Sequence, residues 1–163
     1  MLRPGDIVLT ENPWFLGKAI LAVEEFWAKD NDANYGHAKF VLDVQGNTFE
    51  ALWTTKKTHI DRCKGKNVLI GRHKQMDNEK FQQAWQQIKD YEGSIYPLHR
   101  LFLFLVPPLA KINCFDWAVC SELAAKMLYK AGLLDFWSGI MPSDLEDMIL
   151  YWKDFEIVYQ GIW

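Results

Sequence analysis

Apolar and polar positions alternate in several short segments of this chain, and the alternation predicts β-strands. Such segments fall at 7–10, 37–44, 48–53, 67–72 and 155–160. Pro4, Gly5 and Asp6 form a turn before the first of them. Gly46 and Asn47 are typical of a tight turn, so the second and third segments are expected to pair as a hairpin. The pattern predicts a small antiparallel sheet.

Other segments repeat their apolar positions at the helical spacing of three and four residues. A first helix is expected after Asn12 and Pro13, a second over 77–91 with Gly93 after it, a third over 116–131 with Gly132 after it, and a fourth from Pro142. The segment 96–110 is apolar and interrupted by prolines, which indicates a partial helix over a cleft. Helices before, between and after a small sheet predict an α+β fold, and 163 residues predict a single domain over 1–163.

Composition and charge exclude several classes of protein. A net charge of −3 and a pI near 5.8 argue against nucleic-acid binding. The apolar run at 101–110 is about half as long as a membrane span requires, so no transmembrane segment is expected. No signal peptide is visible, and the default expectation is a cytoplasmic protein, or a virion-associated one if a phage encodes it. A local basic run is interpreted as a solvated loop or as a patch for an anionic surface: Lys56, Lys57, Arg62, Lys64 and Lys66.

The cysteines and histidines do not follow a metal-binding pattern. Three cysteines at irregular spacing make a disulfide framework improbable and a reducing compartment the default. His59 and Cys63 have helical spacing, and Cys114 and Cys120 are six apart, but structural zinc prefers shorter paired spacings. We therefore expect no metal and no cofactor. His73 and His99 have no partner pattern.

Three residues in this pattern could carry chemistry. Cys120 lies where an amphipathic helix begins, and the positive end of the helix dipole stabilises a thiolate there. His37 follows Gly36 at the start of a strand and could pair with that thiolate and later protonate a leaving group. Glu50 lies among apolar neighbours in the paired strand, roughly opposite Val41, close enough to orient the histidine. Each also has an ordinary explanation: a buried small side chain, a polar strand edge and a surface glutamate.

The order of the motifs resembles one known family. The strings Gly5-Asp6-Ile7-Val8, Gly36-His37-Ala38-Lys39-Phe40-Val41, Phe49-Glu50-Ala51, Gly93-Ser94-Ile95-Tyr96, Cys120-Ser121-Glu122-Leu123 and Pro142-Ser143-Asp144-Leu145 are similar to those of circularly permuted NlpC-like papain-fold hydrolases of the YiiX type. The resemblance implies a papain-like sheet or barrel packed against helices, with the histidine before the cysteine. It also implies Cys120 as nucleophile, His37 as base, Glu50 as orienting residue and Tyr96 as a residue that helps to bind the oxyanion.

Three classes of function follow from these residues. The first is a thiol peptidase or amidase acting on a peptidoglycan-type peptide, of bacterial or phage origin. The second is a lipid-directed amidase, thioesterase or acyltransferase, with the apolar segment 101–109 as an acyl pocket. The third is a non-catalytic binding or structural module, part of a larger assembly. The expected partner is accordingly a peptide, cell-wall or acyl substrate, and the intact set of Cys120, His37 and Glu50 favours an enzyme.

Overall fold

The computed structural model describes residues 1–11, 34–52, 54–95 and 119–163 of the chain. Within them, six strands are formed: β1 (Ile7–Thr10), β2 (His37–Val41), β3 (Asn47–Ala51), β4 (Thr55–His59), β5 (Asn67–His73) and β6 (Phe155–Ile162). The three α-helices of the described residues are α1 (Asn78–Ile88), α2 (Cys120–Lys130) and α3 (Pro142–Tyr151). Two short 3-10 helices, Ile60–Cys63 and Lys89–Tyr91, complete the elements.

The six strands form one sheet in the order β4-β3-β2-β1-β5-β6, and every neighbouring pair is antiparallel. This sheet with its helices confirms the predicted α+β class. The interpretation of the basic run as a loop is wrong in part, because Lys56 and Lys57 lie in β4, which pairs with β3 along its whole length. A strand that contains few apolar residues gives no alternation signal, since much of it is not buried in a core.

The sheet separates two apolar clusters. On one side, Phe40 and Phe49 pack with Phe81 of α1 and Leu123 of α2 in the main core. On the other side, a smaller cluster is formed by Val8, Val41, Ile60, Cys63, Val68 and Ile70. Helix α3 packs against β5 at Gly71, where an added Cβ would lie 2.3 Å from Ile149 Cγ1. Only glycine allows this close approach of helix and strand.

The hairpin of β2 and β3 forms around the predicted turn, but its register differs from the predicted one. Gly46 has a φ of 93°, in the left-handed region that favours glycine. The Asp43 side chain accepts hydrogen bonds from the backbone and side-chain amides of Asn47, and β2 ends at Val41 rather than at residue 44. Glu50 therefore pairs with Lys39 and not with Val41.

Three helical predictions can be compared with the structure, and the helix predicted from Pro142 is present as α3. The predicted helix 77–91 is present as α1, capped by the Asp77 side chain, followed by the second 3-10 helix. Of the predicted helix 116–131, the structure shows α2 from Cys120, because Val119 is extended (φ −78°, ψ 177°); residues 116–118 lie outside the described ranges. The first predicted helix and the apolar segment 96–110 lie outside the described residues. Within the described ranges, no helix has the length and apolar character to cross a membrane.

Candidate active site

The first residue of β2, His37, is buried in the sheet and paired with a carboxylate. His37 Nε2 lies 2.7 Å from Glu50 Oε2 of β3, and both residues are almost fully inaccessible. Glu50 pairs with Lys39 in the β2–β3 register, so its side chain shares a face with Lys39 and with His37 two residues before it. The sheet itself brings the two side chains into contact.

Glu50 has a second buried cation beside it. Lys39 Nζ lies 3.5 Å from Glu50 Oε2, the same oxygen that faces His37, and the Lys39 side chain is 3% exposed. Arg62 Nη1 lies 3.8 Å from the other oxygen, Oε1. Burial alone would raise the pKa of Glu50, but the hydrogen bond and charge of His37, followed by the charge of Lys39 and a bond from Thr58, lower it to about 2. Glu50 is therefore a carboxylate across the physiological range.

Cys120 is the first residue of α2, so its thiol lies at the positive end of the helix dipole. The loop that follows the helix supports this end. Glu122 accepts hydrogen bonds from the backbone N–H groups of Val119 (3.1 Å) and Gly139 (2.7 Å), and the Ser121 hydroxyl donates to the Ile140 carbonyl (2.8 Å). Because Ser121 and Glu122 directly follow Cys120, these bonds hold the backbone of the thiol in place.

The Cys120 thiol is the second group that acts on the pKa of His37. Burial disfavours the charged imidazolium, but the hydrogen bonds to Cys120 and Glu50 and the charges of both outweigh it and raise the pKa of His37 to about 9. Since Nε2 faces Glu50, Nδ1 remains for the thiol. The result is a chain of three groups, Cys120–His37–Glu50, in which the imidazole is held as a cation between two groups that can be anionic.

The environments of two buried histidines shift their pKa values in opposite directions. The pKa of His37 is raised to about 9, whereas burial lowers the pKa of His73 below 6.5. His37 should therefore stabilise the fold fully below pH 6.5, and this contribution is lost as the pH rises through about 9. Glu50 should stabilise it above pH 4.5, a contribution lost as the pH falls through about 2. Glu50→Gln should lower the pKa of His37 and leave that of His73 unchanged.

Both titrations can be followed in one NMR experiment on protein with labelled histidine side chains, with His37→Gln assigning the resonance. His73 is the internal control, because its ring packs edge-on against Phe155 and its pKa depends on burial, Asp154 and Lys80 rather than on Glu50. A wild-type His37 that titrates at or below pH 6.5 would contradict the arrangement described here.

Of the four predicted site residues, the structure brings Cys120, His37 and Glu50 together, and Tyr96 lies outside the described residues. Their catalytic roles stay predictions. Sequence reasoning missed Glu122 and Lys39 as members of the site. Glu122 carried a signal, because a glutamate at the third helical position often accepts from the backbone N–H before the helix. The sequence gives no such signal for Lys39, because its burial depends on pairing with Glu50 across the strands.

His59 and Cys63, whose spacing was compared with that of zinc ligands, have separate surroundings in the structure. His59 Nε2 faces the Gln45 carbonyl at 2.9 Å, whereas Cys63 is buried in the smaller apolar cluster. Cys114 lies outside the described residues. In the part of the chain that the structure describes, no three or more His, Cys, Asp and Glu side chains are grouped so that they could hold a metal ion.

Comparisons with known proteins relate the chain to one fold. No protein-family model matches it, and no curated protein matches it. Among solved structures, it is similar to the crystal structure of YiiX from Escherichia coli O157:H7, described as a metalloprotein of DUF1105, with a TM-score of 0.64. The sequences are 16% identical, and the match covers 98% of each chain. At this identity the likeness shows the fold: the chain has a YiiX-like α+β fold over nearly its whole length.

Proposed function

We propose that this protein is a thiol hydrolase that cleaves an amide bond through an acyl-enzyme on Cys120. The observation that carries the proposal is the position of the thiol at the first residue of α2, beside a histidine whose Nε2 lies 2.7 Å from a buried carboxylate. A nucleophile, a base and a group that orients the base, each in contact with the next, are the parts that covalent acyl transfer requires.

The proposed reaction has two steps. In the first, the Cys120 thiolate bonds to the carbonyl carbon, the carbon–nitrogen bond breaks, and His37 gives its proton to the departing amine. In the second, neutral His37 takes a proton from water, the hydroxide adds to the thioester carbon, and the carboxylic acid leaves as the sulfur is released. The N–H of Cys120, at the first helical position, has no intrahelical acceptor and can donate to the developing oxyanion.

Glu50 and the helix cap have supporting roles in this proposal. Glu50 holds the imidazole by Nε2, so that Nδ1 is directed to the sulfur, and its negative charge favours the imidazolium. Glu122 and Ser121 hold the helix end that carries the sulfur. The substrate that the family resemblance implies is an amide of a peptidoglycan-type peptide. The apolar segment that would support a lipid substrate lies outside the described residues.

A metal-dependent reaction receives no support from the donor groups of the described residues. The structural neighbour is described as a metalloprotein. In this chain, however, no group of three donor side chains fits an ion within the described ranges, and the imidazole of His37 is engaged on both sides by Glu50 and Cys120. The steps proposed above therefore use Cys120 and His37 alone.

Selective alkylation of the thiol tests the proposal without knowledge of the substrate. In the folded protein at about pH 6, iodoacetamide should modify Cys120 and leave Cys63 unmodified, because Cys63 is packed in the smaller apolar cluster while Cys120 pairs with His37. Peptide mapping by mass spectrometry measures both sites. Cys120 is 2% exposed, so access is tested as well. A Cys120 that reacts only after unfolding would contradict the proposal, since a nucleophile must be reachable by a small reagent.

A further inference from the structure

The basic run seen in the sequence lies beside the proposed site, and the structure divides its members into two kinds. Lys57 pairs with Glu92 at 2.8 Å and Lys64 pairs with Asp61 at 3.2 Å, so each has a carboxylate of its own. Lys56 and Arg62 are next to Glu50 instead. Lys56 is the β4 residue that pairs with Glu50 across the strands, and Arg62 Nη1 lies 3.8 Å from Glu50 Oε1.

Glu50 is already engaged by other groups and does not bind Arg62 closely. Its Oε2 faces His37 at 2.7 Å and Lys39 at 3.5 Å. The 3.8 Å between Arg62 and Oε1 exceeds hydrogen-bond length. No hydrogen bond joins the Arg62 side chain to another residue of the described ranges. Its guanidinium has five N–H donors, so it lies beside Glu50 with donors that the described residues do not engage.

Arg62 is presented on a fixed piece of backbone. It belongs to the 3-10 helix Ile60–Cys63, in which Ile60 and Cys63 are both buried in the smaller apolar cluster. The side chain of Arg62 itself is 59% exposed. A guanidinium anchored in this way can bind a ligand from solvent. Glu50 connects it to His37.

The charges around Glu50 do not cancel. Three side chains that can be cationic lie within 4 Å of its carboxylate, namely His37, Lys39 and Arg62, and Lys56 is its partner across the strands. The whole chain carries a net charge of −3, so this positive excess is local. A local excess of positive charge beside a reacting group attracts and orients anionic ligands.

We propose that Arg62, assisted by Lys56, is a subsite for a carboxylate of the substrate, so that the hydrolysed amide carries a free carboxylate near the bond that breaks. The planar fork of the guanidinium matches a carboxylate with two parallel hydrogen bonds, which a lysine cannot provide. The proposal rests on the proposed function, because it places the subsite beside Glu50, the partner of His37, and names the class of amide that Cys120 and His37 would cleave.

Matched charged and neutral alkylating reagents test the subsite. Rates of Cys120 modification are measured with iodoacetate against iodoacetamide, and with N-iodoacetylglycine against N-iodoacetylglycinamide, whose carboxylate reaches further from the sulfur. In Arg62→Gln the anionic-to-neutral rate ratio should fall about fivefold for at least the longer pair, the size expected of a partly exposed charge-assisted hydrogen bond. Arg62→Lys should retain part of the ratio, and Lys56→Gln should lower it less.

Lys64→Gln is the matched control, because Lys64 belongs to the same basic run but pairs with Asp61. Its anionic-to-neutral ratio should equal that of the wild type. Two results would overturn the subsite: a ratio unchanged in Arg62→Gln, or equal slowing of the anionic and neutral reagents, which would mean that Arg62 only supports Glu50. Failure of the proposed function has a different signature, namely iodoacetamide reactivity at Cys120 that does not depend on His37.

Discussion

Replacing His37 by glutamine is expected to slow the alkylation of Cys120 by iodoacetamide about a hundredfold at pH 6. A thiol without a cationic partner has a pKa of about 8.5 and is only about 0.3% thiolate at pH 6. A thiol paired with an imidazolium is mostly thiolate at that pH, although the paired thiolate is a somewhat weaker nucleophile. His37 supplies the imidazolium, since Glu50 and Cys120 hold its pKa at about 9. Removing it should return Cys120 to the behaviour of an isolated thiol.

The pH profile separates loss of the partner from loss of the fold. Between pH 8 and pH 6, the alkylation rate should fall less in the wild type than in His37→Gln, because an imidazolium partner favours a thiolate. His73→Gln is the control, because His73 is another buried histidine, on β5, whose contact is Phe155. It should leave the profile unchanged. Equal profiles in the wild type and in His37→Gln would remove the basis of the proposed mechanism.

The proximity of His37 and Glu50 could be predicted although the predicted register was wrong. The turn at Gly46 identified the hairpin, and the prediction placed Glu50 opposite Val41, whereas the structure pairs it with Lys39. Side chains in a strand alternate with a period of two, so an error of two residues keeps Glu50 on the face of His37. An error of one residue would have put the two side chains on opposite faces.

The helix that carries Cys120 could be predicted because its apolar stripe is regular, but its first residue could not. Val119 has no side-chain acceptor with which to cap a helix, and the cap is supplied by Glu122 from inside the helix together with its bond to Gly139. That second bond joins residues 17 positions apart, so no local pattern reveals it. Strand β4 was missed for a related reason: its lysines obtain their strand conformation from pairing with β3.

The largest effect on stability is expected from Asp6→Ala, at about 3–5 kcal/mol of unfolding free energy, because the change removes the buried carboxylate that pairs with a largely buried guanidinium. Asp6 directly precedes β1 and is fully buried. Its carboxylate accepts two hydrogen bonds from Arg72 of β5, at 2.7 and 2.8 Å, and one from the backbone of Arg3 at 2.8 Å. The sequence also gave no indication of this Asp6–Arg72 pair, because the two residues are 66 positions apart.

Urea unfolding followed by tryptophan fluorescence at pH 7 measures the effect. Glu156→Ala is the matched control, because Glu156 is the other carboxylate near Arg72, at 3.4 Å, and is 48% exposed. An exposed pair of this kind contributes less than about 1 kcal/mol. Asp6→Asn keeps the shape of the side chain and one acceptor, so its loss of unfolding free energy should be intermediate. This variant should remain folded even if Asp6→Ala does not. An Asp6→Ala protein as stable as Glu156→Ala would contradict the expectation.

A double variant shows where the cost of Asp6→Ala arises. If most of it comes from the unpaired guanidinium, Asp6→Ala combined with Arg72→Met should be more stable than Asp6→Ala alone, since the second change removes the buried charge. Strand β1 lies between β5 and the strand that begins with His37, so the pair also secures the support of the proposed site. Asp6 does not touch His37, however. In Asp6→Asn that remains folded, the raised pKa of His37 should therefore persist, which separates the stability of the sheet from the electrostatics of the site.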